Sequence, residues 1–272
     1  MKVDTMMNKH PKIIIPELPE KLKNLSKEEE RIKASSITLL KSDEISDRRL
    51  TAYEQAMDVV FLLVKDNKNK TDEELTIQYI GIRLFNALAV SLRLMLSGYY
   101  QISFAIQRDI IEMYFLLDYF IYCPGKISEW KNASNDERIK NYNPGKLRDI
   151  LDKRDGLVNK KREKKYKMFC EYAAHVSYAG NKLVAPKGVG ELGPFFDEKY
   201  LRGCFSDLIE NGFYAVLQFM GHFKDIKDKN ILKTKNDFLK QIADWYKERF
   251  KQEVKIDFNA IDELLDKLFE GS

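Results

Sequence analysis

The chain has 272 residues, with 46 Lys+Arg against 42 Asp+Glu, so its formal net charge at pH 7 is only +4. That length suits one large domain, and a composition of 44% hydrophobic and 32% charged residues excludes an intrinsically disordered chain. The small net charge gives no whole-molecule signal for nucleic acid or a membrane. The 13 glycines and 7 prolines fall well short of the roughly 12% average, against the many turns of an all-β fold.

In chain order, residues 1–25 carry Pro11, Pro16 and Pro19 around a short isoleucine run, which predicts an extended N-terminal arm. Residues 26–272 then read as a single all-α domain, a bundle of eight to ten helices. Capping boxes at Ser26/Glu29, Thr71/Glu74 and Ser134/Glu137, with apolar residues behind them at three- and four-residue spacing, mark helix starts. The predicted helices are 27–35, 44–66, 72–97, 99–123, 134–141, 145–154, 159–179, 198–223, 235–250 and 259–269. Those at 72–97 and 99–123 are apolar round most of their circumference and are expected at the centre. The stretch 180–196 concentrates Gly180, Gly188, Gly190, Gly193, Pro186 and Pro194 and predicts one long loop.

The longest charge-free stretch of the apolar middle, Leu94–Gln107, is interrupted by Gly98 and is shorter than the roughly 18 residues of a spanning helix. No membrane segment and no signal peptide are expected, which points to a cytoplasmic protein. Cys123, Cys170 and Cys204 form no Cys-x-x-Cys pair. They are expected as reduced thiols, with neither a metal site nor a cofactor.

Four constellations are candidates for chemistry. Arg108 and Glu112 share a helix face with apolar neighbours at Phe104, Ile111, Phe115 and Leu116. They form either an interhelical ion-pair lock or an anion clamp with an orienting carboxylate. His175, four residues after Glu171 and near Tyr172, is expected late in a helix, as a core or C-terminal histidine or as an acid–base group. The run Lys160, Lys161, Arg162, Lys164, Lys165 and Lys167 places cations in the first turns of a helix, where they oppose its dipole. It is either a solvated face or a site for nucleic acid or phosphate. Gly188-Val189-Gly190-Glu191-Leu192-Gly193 has the spacing of a dinucleotide-binding loop but neither the preceding strand nor the directly following helix that such chemistry needs.

Arg108-x-x-x-Glu112 in a central helix, followed about sixty residues on by Tyr172-x-x-His175 and a small-residue turn, resembles an uncharacterised all-helical bacterial family of unknown function. The resemblance covers roughly residues 80–185 and implies a bundle in which Arg108, Glu112 and His175 cluster. The chain is also similar, as a compact bundle, to the helical ribonucleases of toxin–antitoxin and phage-defence systems. That class places an Arg four to six residues before a His on one helix. No Arg stands so before any His here, which counts against that chemistry.

Two functions are therefore expected. The first is a bacterial helical module, an accessory of antiviral defence or mobile elements, that acts by binding a protein partner, a second copy of itself, or nucleic acid through the Lys160–Lys167 helix. The second is an enzyme on a phosphate-bearing substrate such as RNA or a nucleotide, with Arg108 holding the anion, His175 moving the proton and Glu112 fixing Arg108.

Overall fold

In the computed structural model, which describes residues 17–269, periodic apolar spacing becomes eleven α-helices with no strand among the described residues. They are α1 (Glu20–Lys41), α2 (Glu44–Lys65), α3 (Asp72–Leu96), α4 (Tyr100–Tyr122), α5 (Lys126–Asn132), α6 (Asn135–Tyr142), α7 (Pro144–Arg154), α8 (Lys161–Phe169), α9 (Glu198–Gly221), α10 (Lys229–Phe250) and α11 (Phe258–Phe269). The all-α bundle is as expected, with one helix more than the sequence suggests: α5, which no capping side chain announces.

Helix starts follow their caps. The Asp43, Asn143, Asp197 and Asp228 side chains each accept an amide of the first turn of the helix they precede. Ser134/Glu137 forms the full reciprocal box. Thr71 accepts from the Glu74 amide, while the Glu74 carboxylate reaches one residue further back, to the Lys70 amide. Ser26/Glu29 is not a cap: α1 already begins at Glu20, behind Pro19, and Glu29 instead accepts the Tyr99 hydroxyl at 2.8 Å. Residues 20–25 are thus helical rather than an extended arm, and residues 1–16 of that arm lie outside the described residues.

Helix α3 ends in a Schellman turn. The Tyr99 amide bonds the Leu94 carbonyl and the Gly98 amide bonds that of Met95, with Gly98 at φ +86°. Any side chain at Gly98 would also strike the Phe195 backbone. The turn folds α4 back antiparallel to α3, so that Ser91 meets Ser103 and Arg83 pairs with Asp109. Helix α2 is likewise antiparallel to α3, with the Tyr53 hydroxyl on the Leu88 carbonyl and the Gln78 amide on that of Leu63.

The centre differs from expectation in one respect. Helix α9 is buried along its whole length through Leu201, Phe205, Leu208, Ile209, Phe213, Val216 and Phe219, and it runs parallel to α4. A polar ladder joins the two: the Gln107 amide donates to the Cys204 carbonyl, Asn211 donates to Gln107, and the Cys204 thiol donates to Ser103. Burial pushes the Cys204 thiol up to about 12, so it is inert. All three cysteines are free. Helix α10 lays Phe238 and Trp245 edge-on against Phe213, and burying each such ring is worth ~1.5–3 kcal/mol.

Helix α3 is, by length and composition, the one described helix long and apolar enough to cross a membrane. In the bundle it buries Ile77, Leu84, Leu88 and Met95 and exposes Tyr79, Ile82 and Val90.

The expected helix 159–179 breaks early. After Phe169 the chain widens into a π-turn, Cys170–Ala174, closed by the His175 amide on the Cys170 carbonyl, and His175 is already extended (φ −103°, ψ 145°). The reason is competition for carbonyls. The Ser177 hydroxyl donates to the Glu171 carbonyl, and Gln101 of α4 donates to those of Tyr172 and Gly180, both at 3.4 Å. Backbone groups so taken are not available for a regular helical ladder. A 3₁₀ turn, Tyr178–Leu183, follows and includes the start of the expected loop; residues 184–197 carry no helix.

Candidate ligand-binding site

The Arg108–Glu112 pair forms as the spacing predicts, but at the edge of the bundle rather than inside it, with side chains 30% and 27% exposed. Arg108 Nε donates to Glu112 Oε1 at 2.9 Å, and the Tyr166 hydroxyl, from α8, donates to the same oxygen at 2.6 Å. The Arg108 guanidinium lies 5.8 Å from the centre of the Tyr166 ring and that of Arg148, from α7, lies 5.7 Å from it. Burial opposes the Arg108 charge, yet the hydrogen bonds to Tyr166 and Glu112 raise its pKa. Burial and the bond to Glu112 push the Tyr166 hydroxyl up as well. Arg108, Glu112 and Tyr166 bond one another, while the buried Arg148 lies over the ring with its Nε unbonded.

His175 is not part of it. It sits past the π-turn, exposed, and its ring has no hydrogen-bond partner among the described residues. The face it was expected to share with Glu171 does not exist, because the helix has ended.

The basic run is largely neutralised by the chain's own carboxylates. Arg162 pairs with Asp152 at 2.7 Å and with Asp155, Lys165 pairs with Glu210 at 2.6 Å, and Lys160 and Lys167 both face Glu163. Among the described residues this leaves Lys161 and Lys164 as the two cations of the run without a carboxylate. The penalty of cations at a helix start is met internally, by α7 and α9.

The feature that sequence reasoning missed lies beside this cluster. A pocket of about 300 Å³ opens between α4, the end of α8, the π-turn, the 3₁₀ turn and α9, lined by Phe104, Met168, Phe169, Tyr172, Ala173, Leu183 and Asp207. Its walls are apolar, with Phe104 and Phe169 packed edge to face at 5.5 Å. Tyr172 and Ala173 of the π-turn form part of its wall. Of the residues expected to bind, Tyr172 is here, with the Lys182 ammonium 5.8 Å from its ring centre.

Asp207 is the one carboxylate of this pocket. It accepts no hydrogen bond and forms no ion pair among the described residues. The nearest cations, Lys165 and Arg249, are both held by Glu210, at 2.6 and 3.5 Å. Burial pushes the Asp207 carboxyl above the usual carboxylate range; Glu210 adds to the rise, while Lys165 and Arg249 work against it. One signal in the sequence marks it: Asp207, half-buried, is three residues after Cys204 and four before Asn211, beside the stripe that α9 buries.

A second cavity, of about 220 Å³, lies between the start of α3, the end of α4 and the end of α9. Its acids and its histidine have partners: Glu73 accepts from Ser128, Glu74 from the Lys70 amide, and the His222 ring bonds the Leu117 carbonyl at 3.0 Å. No group of three His, Cys, Asp or Glu side chains able to hold a metal ion occurs among the described residues. The glycine-rich hexapeptide is loop, with Gly188 and Gly193 at positive φ and α9 opening only at Glu198.

No family model, no curated protein and no solved structure matches this chain.

Proposed function

We infer that the protein is a helical binding module whose ligand seat is the pocket beside the π-turn. The observation that carries this reading is the lone Asp207 carboxylate in an otherwise apolar cavity. Asp207 is half-buried with no partner in the chain, and a cavity walled by aromatic and aliphatic side chains around a single carboxylate has the make-up of a small-molecule site.

The phosphate-enzyme reading draws less support. Its Arg108 and Glu112 are committed to each other and to Tyr166, and its acid–base group, His175, has no orienting partner. Nucleic-acid binding through α8 rests on Lys161 and Lys164 alone, so its salt dependence would be shallow.

The test is a fragment screen by ligand-observed NMR on the full chain, repeated on Ala173→Trp, which fills the cavity from a residue at its wall. Fragments that bind the native protein and are lost in the variant support the reading. Fragments that bind both proteins equally, or none at all, overturn it.

A further inference from the structure

The donor set of the pocket says which ligands it suits. Resting on the reading of this pocket as the ligand seat, we propose that it takes a small organic cation, an ammonium group on an apolar frame, with Asp207 as counter-ion and the Phe104, Phe169 and Tyr172 rings as walls. An ionised carboxylate only accepts hydrogen bonds. An anionic ligand would meet it with like charge, and a neutral one would cover a half-exposed carboxylate without compensating it. A cation resolves both problems, and ring faces attract it further.

The chain's own behaviour points the same way. The Lys182 ammonium already sits over the outer ring, Tyr172, at 5.8 Å. The two basic groups close enough to act on Asp207, Lys165 and Arg249, are drawn to Glu210 on the next turn of α9. Asp207 is thereby left without a protein partner at the wall of the pocket. At about 300 Å³, the cavity is at the small end of ligand sites, so the frame is of one ring or a short alkyl chain.

The experiment titrates the full chain by calorimetry and by chemical-shift perturbation with three matched probes: 2-phenylethylammonium, 2-phenylethanol and phenylacetate. The cation is expected to bind about tenfold tighter than the alcohol, with phenylacetate weakest. Asp207→Asn is expected to bring the cation to the alcohol's affinity and leave the alcohol unchanged. Because Asp207 makes no hydrogen bond, this substitution does not threaten the fold; Ala173→Trp, expected to abolish binding of both, is the second variant. Equal binding of cation and alcohol, both lost in Ala173→Trp, would overturn the ligand class and leave the pocket standing. Binding of no probe, or binding that Ala173→Trp does not reduce, would overturn the cation and the pocket together.

Discussion

Two neighbouring regions, both built from α4, α8 and α9, treat charge in opposite ways. Around Tyr166, Arg108 and Glu112 bond each other and the phenol, and the surrounding Arg154, Arg162 and Lys165 each reach a carboxylate on Asp118, Asp152 or Glu210, with the buried Arg148 lying over the ring as the exception. One turn further along, Asp207 sits among Phe104, Phe169 and Leu183 with nothing bonded to it. A polar group whose partners are all within the chain has done its part once the helices are docked. A carboxylate that the fold half-buries among apolar side chains and leaves without a partner is a cost that packing does not explain. The contrast shifts attention from the charged cluster that dominates the sequence to the single acid that does not.

The largest effect expected in either region is at their shared boundary. Phe169 is fully buried and packs edge-on against Phe104, so Phe169→Ala should lower unfolding free energy by ~3–5 kcal/mol in a urea titration. A loss under ~1 kcal/mol would mean that the pocket floor is not part of the core. Next is the closed cluster. Glu112→Ala removes the acceptor of both Arg108 and Tyr166, and a loss of ~1–3 kcal/mol is expected, tempered because the pair is part-exposed. Glu112→Gln, which keeps an acceptor for the phenol, should recover part of it; equal losses would show that charge rather than hydrogen bonding holds the site.

The pocket lip should respond differently. Tyr172 is half-buried, with the Lys182 ammonium 5.8 Å from its ring centre, so Tyr172→Ala should cost no more than ~1 kcal/mol while weakening probe binding. A large stability loss with binding intact would reverse the roles assigned to the two regions.

How far these roles can be read from sequence differs for physical reasons. Helices α2, α3 and α4 stand where periodicity and caps place them, because local signals and tertiary packing agree there. The Arg108–Glu112 contact is legible since it is an i, i+4 pair on one helix. Its third member, Tyr166, is 54 residues from Glu112 and enters only when α8 docks. The misread starts have the same origin. Glu29, which looks like a capping glutamate, is drawn off by Tyr99 from across the fold, and α10 begins at Lys229 on an Asp228 cap rather than at 235. The π-turn depends on Gln101 from α4, so helical spacing through 179 gives no warning of it. Without that turn neither the pocket nor the displacement of His175 is visible.

The smallest effect is the sharpest test of the contrast, because its sign is unusual. Most substitutions destabilise, but Asp207→Asn should raise the melting temperature at pH 7, by about 1–2 °C for a chain of this size. The charge it removes is disfavoured by burial and is compensated only partly by Lys165 and Arg249, with Glu210 opposing them. The pH dependence follows from the direction of the shift. An acid whose folded-state pKa is raised takes up its proton in the folded state before the unfolded one, so its penalty is present above the raised value and fades as pH falls through it. The native protein and the Asp207→Asn variant should therefore converge in stability by about pH 3, below the ordinary aspartate range near 3.9, and diverge most at pH 7. The corresponding change in the closed cluster, Glu112→Gln, should destabilise at pH 7. If both substitutions destabilise at neutral pH, Asp207 is a structural acid like its neighbours, and the division between a closed lock and an open seat collapses.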